Sequence, residues 1–191
     1  DKRYLRIPEP QCLEEILQSK TGNYQDIAYL KAMLLRSFGI PSTIDYIPFL
    51  ADTTGSFYFT VAMNSDGIFE ALLPLNTEYL FKQNKIPKVY RRIYSKNPKS
   101  LFSLKELSLS TPPFIGHYHY QDVTKDYVAT LPVEFKVKNS DTLYYTAVYN
   151  DSMWRAVDWA ITKNQQIIFP DLGQNISYRI MVVVSDSLVF E

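Results

Sequence analysis

The chain is nearly devoid of cysteine and histidine. Cys12 is the single cysteine among 191 residues, so no internal disulfide can form and thiol usage does not assign a redox compartment. His117 and His119 are the only histidines, which leaves few ligands for a metal centre built from imidazole and thiolate. Net charge is also missing. The 20 basic and 20 acidic side chains cancel, which removes the electrostatic case for nucleic acid or an anionic membrane surface as partner. No apolar run approaches the roughly 18 residues that a membrane-spanning helix needs. No basic-then-apolar leader is seen, and no internal repeat or low-complexity tract. The first residue is Asp1 rather than Met, so a processed or excised piece is expected, with any targeting segment upstream.

What is present is a core and many rings. Apolar residues make up 46% of the chain, enough to bury a core in one large domain or two small ones and to exclude wholesale disorder. Tyr and Phe number 15 and 11, a composition suited to half-buried β-sheet surfaces.

The pattern predicts a short helix over Cys12–Lys20, with Leu13, Ile16 and Leu17 at helical spacing, broken by Thr21-Gly22-Asn23. Asn23 is placed to cap a second helix over Tyr24–Phe38, whose Ile27, Leu30, Leu34 and Leu35, joined by Ala28 and Met33, predict burial over a wide face. Gly39 is expected to close it in the left-handed conformation, with Pro41 blocking continuation. Strands are expected over Ser42–Leu50 and Ser56–Met63, then a turn at Asn64-Ser65-Asp66-Gly67 and a return strand over Ile68–Leu73. Lys88–Tyr94 reads as a solvated edge strand guarded by its cations. A one-turn helix is expected within Leu101–Leu107, and Thr111-Pro112-Pro113 reads as a linker. Beyond it, runs at 131–138, 142–149, 154–160, 165–169 and 176–184, separated by polar turns, suggest an antiparallel sandwich.

Two stretches carry a family resemblance. Leu35-Arg36-Ser37-Phe38-Gly39-Ile40-Pro41 resembles the helix end of transglutaminase-like, papain-type thiol enzymes. Gly55-Ser56-Phe57-Tyr58-Phe59-Thr60-Val61 is similar to their Gly-His-x-Trp-Asn-x-Val strand. Counting the family spacing back from Gly39 puts Tyr24 at the nucleophile position, with Gly22 and Asp26 where the family's Gly-x-Cys-x-Asp has them. Ser56 then stands at the histidine position, and Glu70 is the nearest acid to the third. The resemblance implies an α+β protein. A degenerate transglutaminase-like (cysteine-proteinase-like) domain over residues 1–111 is followed by an antiparallel β-sandwich-like domain over 112–191, as in large surface-associated bacterial proteins. It also implies a secreted, periplasmic or cell-surface location and further domains on the same polypeptide.

The departures point away from catalysis. A papain-type site needs a thiolate activated by an oriented imidazole. A Tyr24 phenol is a poor nucleophile at neutral pH, and Ser56 cannot act as a base. Losing both members of a dyad that works as a unit removes nearly all of its chemistry. The expectation is a pseudoenzyme with no catalytic residue, no cofactor and no metal. It would serve binding or scaffolding, its former cleft lined by Tyr24, Ser56, Tyr58 and Phe59 and its partner a peptide, protein or glycan. Two other readings stay open: a residual thiol hydrolase or peptide-modifying enzyme using Cys12 with His117 or His119, and a structural spacer. His117-x-His119 followed by Asp122 has a metal-ligand spacing, against which stand paired strand histidines with ordinary partners. Trp154 and Trp159 with Tyr144, Tyr145 and Tyr149 make either a ligand platform or core rings. Asn175-Ile176-Ser177 matches a glycosylation sequon, idle in a bacterial protein.

Overall fold

The computed structural model describes residues 11–74, 77–83, 85–104, 111–137, 143–184 and 187–190. The fold is α+β. Its helices are α1 (Leu13–Ser19), α2 (Tyr24–Ser37), α3 (Glu78–Lys82) and α4 (Leu101–Leu104). Its strands are β1 (Ser42–Ile47), β2 (Phe57–Met63), β3 (Phe69–Leu72), β4 (Tyr90–Arg92), β5 (Tyr120–Asp122), β6 (Thr130–Lys136), β7 (Leu143–Asn150), β8 (Met153–Ile161), β9 (Gln166–Gly173), β10 (Arg179–Val184) and β11 (Ser187–Phe190). Among the described residues no helix is long and apolar enough to cross a membrane. The chain divides into two compact units, Asp1–Asp45 with Phe57–Pro74, and Tyr46–Ser56 with Leu75–Glu191.

The first unit is a helix laid on a small sheet. Its caps follow from local chemistry. The Asn23 side chain accepts the Asp26 N–H at 2.9 Å, and the Asp26 carboxylate accepts the Asn23 N–H at 3.0 Å, a reciprocal capping box. Asp26 also accepts the Gln11 N–H at 3.0 Å. At the other end the Gly39 N–H reaches Arg36 O and the Ile40 N–H reaches Leu35 O, with Gly39 at φ +78°, as a helix end closed by a left-handed residue requires. The strands lie in the order β3-β2-β1, and β2 and β3 pair antiparallel through a turn in which Gly67 takes φ +78°.

The buried face of α2 differs from the expected one. Ala28 and Ala32 are buried against Ile44, while Met33 and Leu34 remain 45% and 49% exposed. The reason is close approach. Small residues four apart bring the helix backbone within reach of strand hydroxyls. Thr60 Oγ1 donates to Ala28 O at 3.0 Å and Ser42 Oγ to Ala32 O at 2.9 Å. A helix seated this way on its alanines turns part of its larger apolar stripe outward.

The second unit is sheet-rich. A four-stranded sheet in the order β11-β10-β7-β8 and a two-stranded sheet β6-β9 are antiparallel throughout. They share a core in which Tyr144 and Ala160 meet Ile167, Phe169 and Leu172. Asp151-Ser152 turns the chain between β7 and β8 and Asn164-Gln165 between β8 and β9, but Asp171-Leu172-Gly173, expected as a separating turn, is the end of β9, and the expected turn at Asn139-Ser140-Asp141 lies outside the described residues. Residues 46–56 belong to this unit because they are tied to the β7–β8 hairpin. The Asn150 amide donates to Leu50 O at 2.8 Å and Gly55 O at 3.0 Å, and the Asp52 N–H reaches Tyr149 O at 2.8 Å. The Thr111-Pro112-Pro113 segment lies within this unit. It leads into a 3₁₀ turn at Pro113–Ile115 whose Ile115 is sealed from solvent and whose Phe114 ring packs on Tyr90. The helix expected within Leu101–Leu107 is present over Leu101–Leu104, and its last residues lie outside the described ones. Glycine matters most at Gly173, where a Cβ would come within 2.1 Å of Ile86 O. Only a bare Cα permits that approach.

Candidate functional site

Tyr24 opens α2, is 52% exposed, and sets its ring edge-on to Phe57 at 5.1 Å between centroids. Phe57 stacks in turn on Phe59 at 5.6 Å. Both Phe57 and Phe59 are buried, and the strand pleat sends Tyr58 to the opposite face, against Ala28, Ala32 and Ile44. Tyr58 and Phe59 therefore do not line one pocket, and Phe57 takes the place beside Tyr24. Burial raises the Tyr58 phenol above its ordinary range. Ser56 is exposed, immediately before β2. Glu70 pairs with Ala62 across the β2–β3 ladder, which at about 3.3 Å per residue sets it far along β2 from Phe57. Its carboxylate accepts the Asn64 side-chain amide at 2.7 Å. The register thus gives Glu70 a turn-bracing role at the far end of the hairpin.

Cys12 is exposed at the start of α1. The unit that contains it has no histidine, since both imidazoles belong to the second unit. There the His119 N–H donates to His117 Nδ1 at 3.0 Å, and the two rings lie 6.4 Å apart on one side of the chain. Burial, then the Arg92 and His119 charges, lower the His117 pKa. Among the described residues no group of three or more His, Cys, Asp or Glu side chains could hold a metal ion.

The most demanding chemistry lies in the second unit. Lys88, expected on a solvated edge, is 0% exposed. Its ammonium donates to Asp122 Oδ2 and to Pro170 O, the latter at 2.7 Å, and lies 2.9 Å from Asp158 Oδ2 in an ion pair off the hydrogen-bonding direction. The Tyr90 hydroxyl shares its one proton between Val157 O at 2.9 Å and Asp158 Oδ1 at 3.1 Å. A cation cannot stay buried without such partners. That requirement, rather than edge protection, explains Lys88.

The electrostatics follow from one cation shared by two carboxylates. Burial works against the Lys88 charge, yet Asp158 and Asp122 together outweigh it and raise its pKa. Burial raises the Asp158 carboxyl, Lys88 pulls it back, and the charge of Asp122 adds to the rise, so the net shift is upward. Burial also lifts Tyr90 well above the usual phenol range. As a charged ammonium Lys88 has no lone pair and is not a nucleophile, and it sits between the two carboxylates. The arrangement is an ionic floor rather than an acid–base pair.

Above that floor lies a cleft of about 930 Å³, walled by β4 and β5 (Tyr90, Tyr120, Asp122), β8 (Asp158–Ile161) and β9 (Gln166–Asp171). Its size is that of a small-molecule or short-oligomer site. Tyr120 organises one wall: its hydroxyl oxygen accepts the Leu101 N–H and the Trp159 Nε1–H, each at 3.0 Å. Of the candidate aromatic platform, Tyr144 and Tyr145 are core residues, Tyr149 and Trp154 pack together at 5.7 Å elsewhere, and Trp159 faces the cleft. A lone Lys inside the apolar run Ile86–Tyr90, and an Asp between Ala156 and Ala160 in a strand-like run, were the available signals. Both break an inward-facing pattern. No family model, no curated protein and no solved structure matches the chain.

Proposed function

We propose that this chain is a non-catalytic, transglutaminase-like module that serves binding or scaffolding in a larger secreted, periplasmic or cell-surface bacterial protein. The observation that carries the reading is the start of α2, where a half-exposed Tyr24 ring packs against buried Phe57 in place of a thiol. Ser56 in the histidine position and the absence of any histidine from the Cys12 unit support it. The cleft beside Trp159 supplies a site for binding without turnover.

The reading predicts that Cys12 alkylates at neutral pH no faster than an unstructured peptide thiol. Hyper-reactivity there would instead favour the thiol-enzyme reading. A glycan and peptide array separates the binding role from that of a spacer, since silence across the whole array favours the spacer.

A further inference from the structure

We propose that the cleft beside Trp159 binds an acidic oligosaccharide, with a sugar ring on the indole, its hydroxyls on the wall and its carboxylates at the rim. This rests on the binding-module reading above and names the class of ligand.

Three observations point the same way. The first is preorganisation. The Trp159 indole is fixed by its Nε1–H bond to Tyr120, so the ring is held in place before any ligand arrives. A pinned aromatic face is the usual partner of the apolar face of a sugar and costs little side-chain entropy on binding.

The second is a spare donor. The Tyr120 hydroxyl oxygen already accepts two N–H groups. A phenol oxygen has two acceptor positions and one proton, so that proton is left to donate. Tyr120 is buried and lines the cleft, and a buried donor of this kind is satisfied by a ligand oxygen. The Gln121 and Asn164 amides lie on the same walls and suit vicinal hydroxyls.

The third is charge. Asp122 and Asp158 face the cleft, and Lys88 behind them offsets one of their two charges. At the rim Lys96, Lys99 and Lys163 are exposed, and none makes an ion pair with a described residue. Asp171 is the one lining carboxylate that Lys88 does not meet. Among the described residues, four lysines (Lys88, Lys96, Lys99 and Lys163) stand against three aspartates (Asp122, Asp158 and Asp171), and the excess lies with the lysines of the rim, where carboxylates on the ligand complement it.

The test uses the full chain and three probes: trigalacturonic acid, neutral galactotriose and a Glu-rich peptide. Calorimetric titration should show trigalacturonic acid binding about tenfold more tightly than galactotriose at low salt, with the difference shrinking as salt rises. Replacing the rim cations (Lys96→Gln, Lys99→Gln, Lys163→Gln) should abolish that preference while leaving the circular dichroism unchanged. Trp159→Phe keeps an aromatic core and should weaken both sugars. A Trp154→Phe variant leaves Trp159 as the only indole, and its fluorescence should still change on binding. Equal affinity for the two sugars, or binding of the peptide alone, overturns the inference while the binding-module reading stands. Silence toward all three probes and across the array overturns both.

Discussion

Lys88 Nζ lies 2.9 Å from Asp158 Oδ2, with the lysine side chain sealed from solvent and the aspartate nearly so. These two residues are far apart in the chain, and their pairing fixes β8 against the approach to β4 inside the second unit. Each is tolerable only because of the other. An unpaired charge at either position would cost more than the pair itself contributes.

Truncating one member therefore has a large effect. Lys88→Met is expected to destabilise the protein by about 3–5 kcal/mol, because two carboxylates are left facing each other without a cation. Adding Asp158→Asn should recover part of the loss. Urea unfolding of the single and double variants gives the coupling energy. Strict additivity would mean that the two side chains do not depend on each other.

The alkaline limb of stability should fall early and cooperatively. The folded-state pKa values of Tyr90, Tyr120, Tyr145 and Tyr178 are all raised above the ordinary phenol value of 10.0, first of all by burial. That of Lys88 is raised above 10.5. A group with a raised folded pKa contributes stability that is fully present below its unfolded pKa and is lost as pH rises through the folded value. Stability should thus decline from about pH 10 upward. Ultraviolet difference absorbance should show these phenolates appearing together with unfolding. Titration of every tyrosine near the ordinary value in an intact fold contradicts the burial described.

Asp158 acts in the same sense, starting from a lower pH. Its folded pKa lies above the ordinary 3.8, so the contribution from its proton is present below that value and lost as pH rises through the raised one. Asp158→Asn should flatten the pH dependence of stability in the mildly acidic range. An unchanged pH profile in this variant rules out Asp158 as the group responsible.

Gly173→Ala should cost roughly 3 kcal/mol or more, since its Cβ would fall 2.1 Å from Ile86 O and backbone must move. Gly39→Ala provides the contrast. It shares a positive φ with other turn glycines but has open space around it, so only the left-handed backbone penalty of about 1 kcal/mol applies. Similar costs at the two sites would mean that crowding at Gly173 relaxes freely.

Asn23→Ala should remove about 1 kcal/mol through loss of the α2 cap. Asp26→Ala should cost more, because its carboxylate serves the N–H groups of both Gln11 and Asn23 while nearly fully buried. Thermal unfolding of the two variants ranks them, and the reverse order would show that the Gln11 contact carries little.

Local chemistry was legible in the sequence. The Asn23 cap, the Gly39 stop, the Asp66-Gly67 turn and the alternating strands beyond residue 130 are each set by residues within a few positions of one another. The α+β class was the expectation of the family resemblance, and the fold agrees with it. The seating of α2 was less so. Its periodicity was correct, but whether Leu34 or Ala28 faces the sheet depends on strand hydroxyls at Ser42 and Thr60, which no local pattern contains.

The site was decided elsewhere. Tyr24, Ser56 and Glu70 are defined by position in a pattern, and the sequence alone supplied the inference that thiol chemistry is missing there. Lys88, Asp122 and Asp158 sit on three separate stretches, with Lys88 and Asp122 already 34 positions apart. Lys88 and Asp158 each interrupt an apolar run, but nothing local says that they meet. Only packing removes water from around them, and a charge without water must find its counter-charge. Residue type thus carried the expectation that no thiol chemistry occurs at Tyr24, while the tertiary structure determined which charges are buried and where a cleft opens.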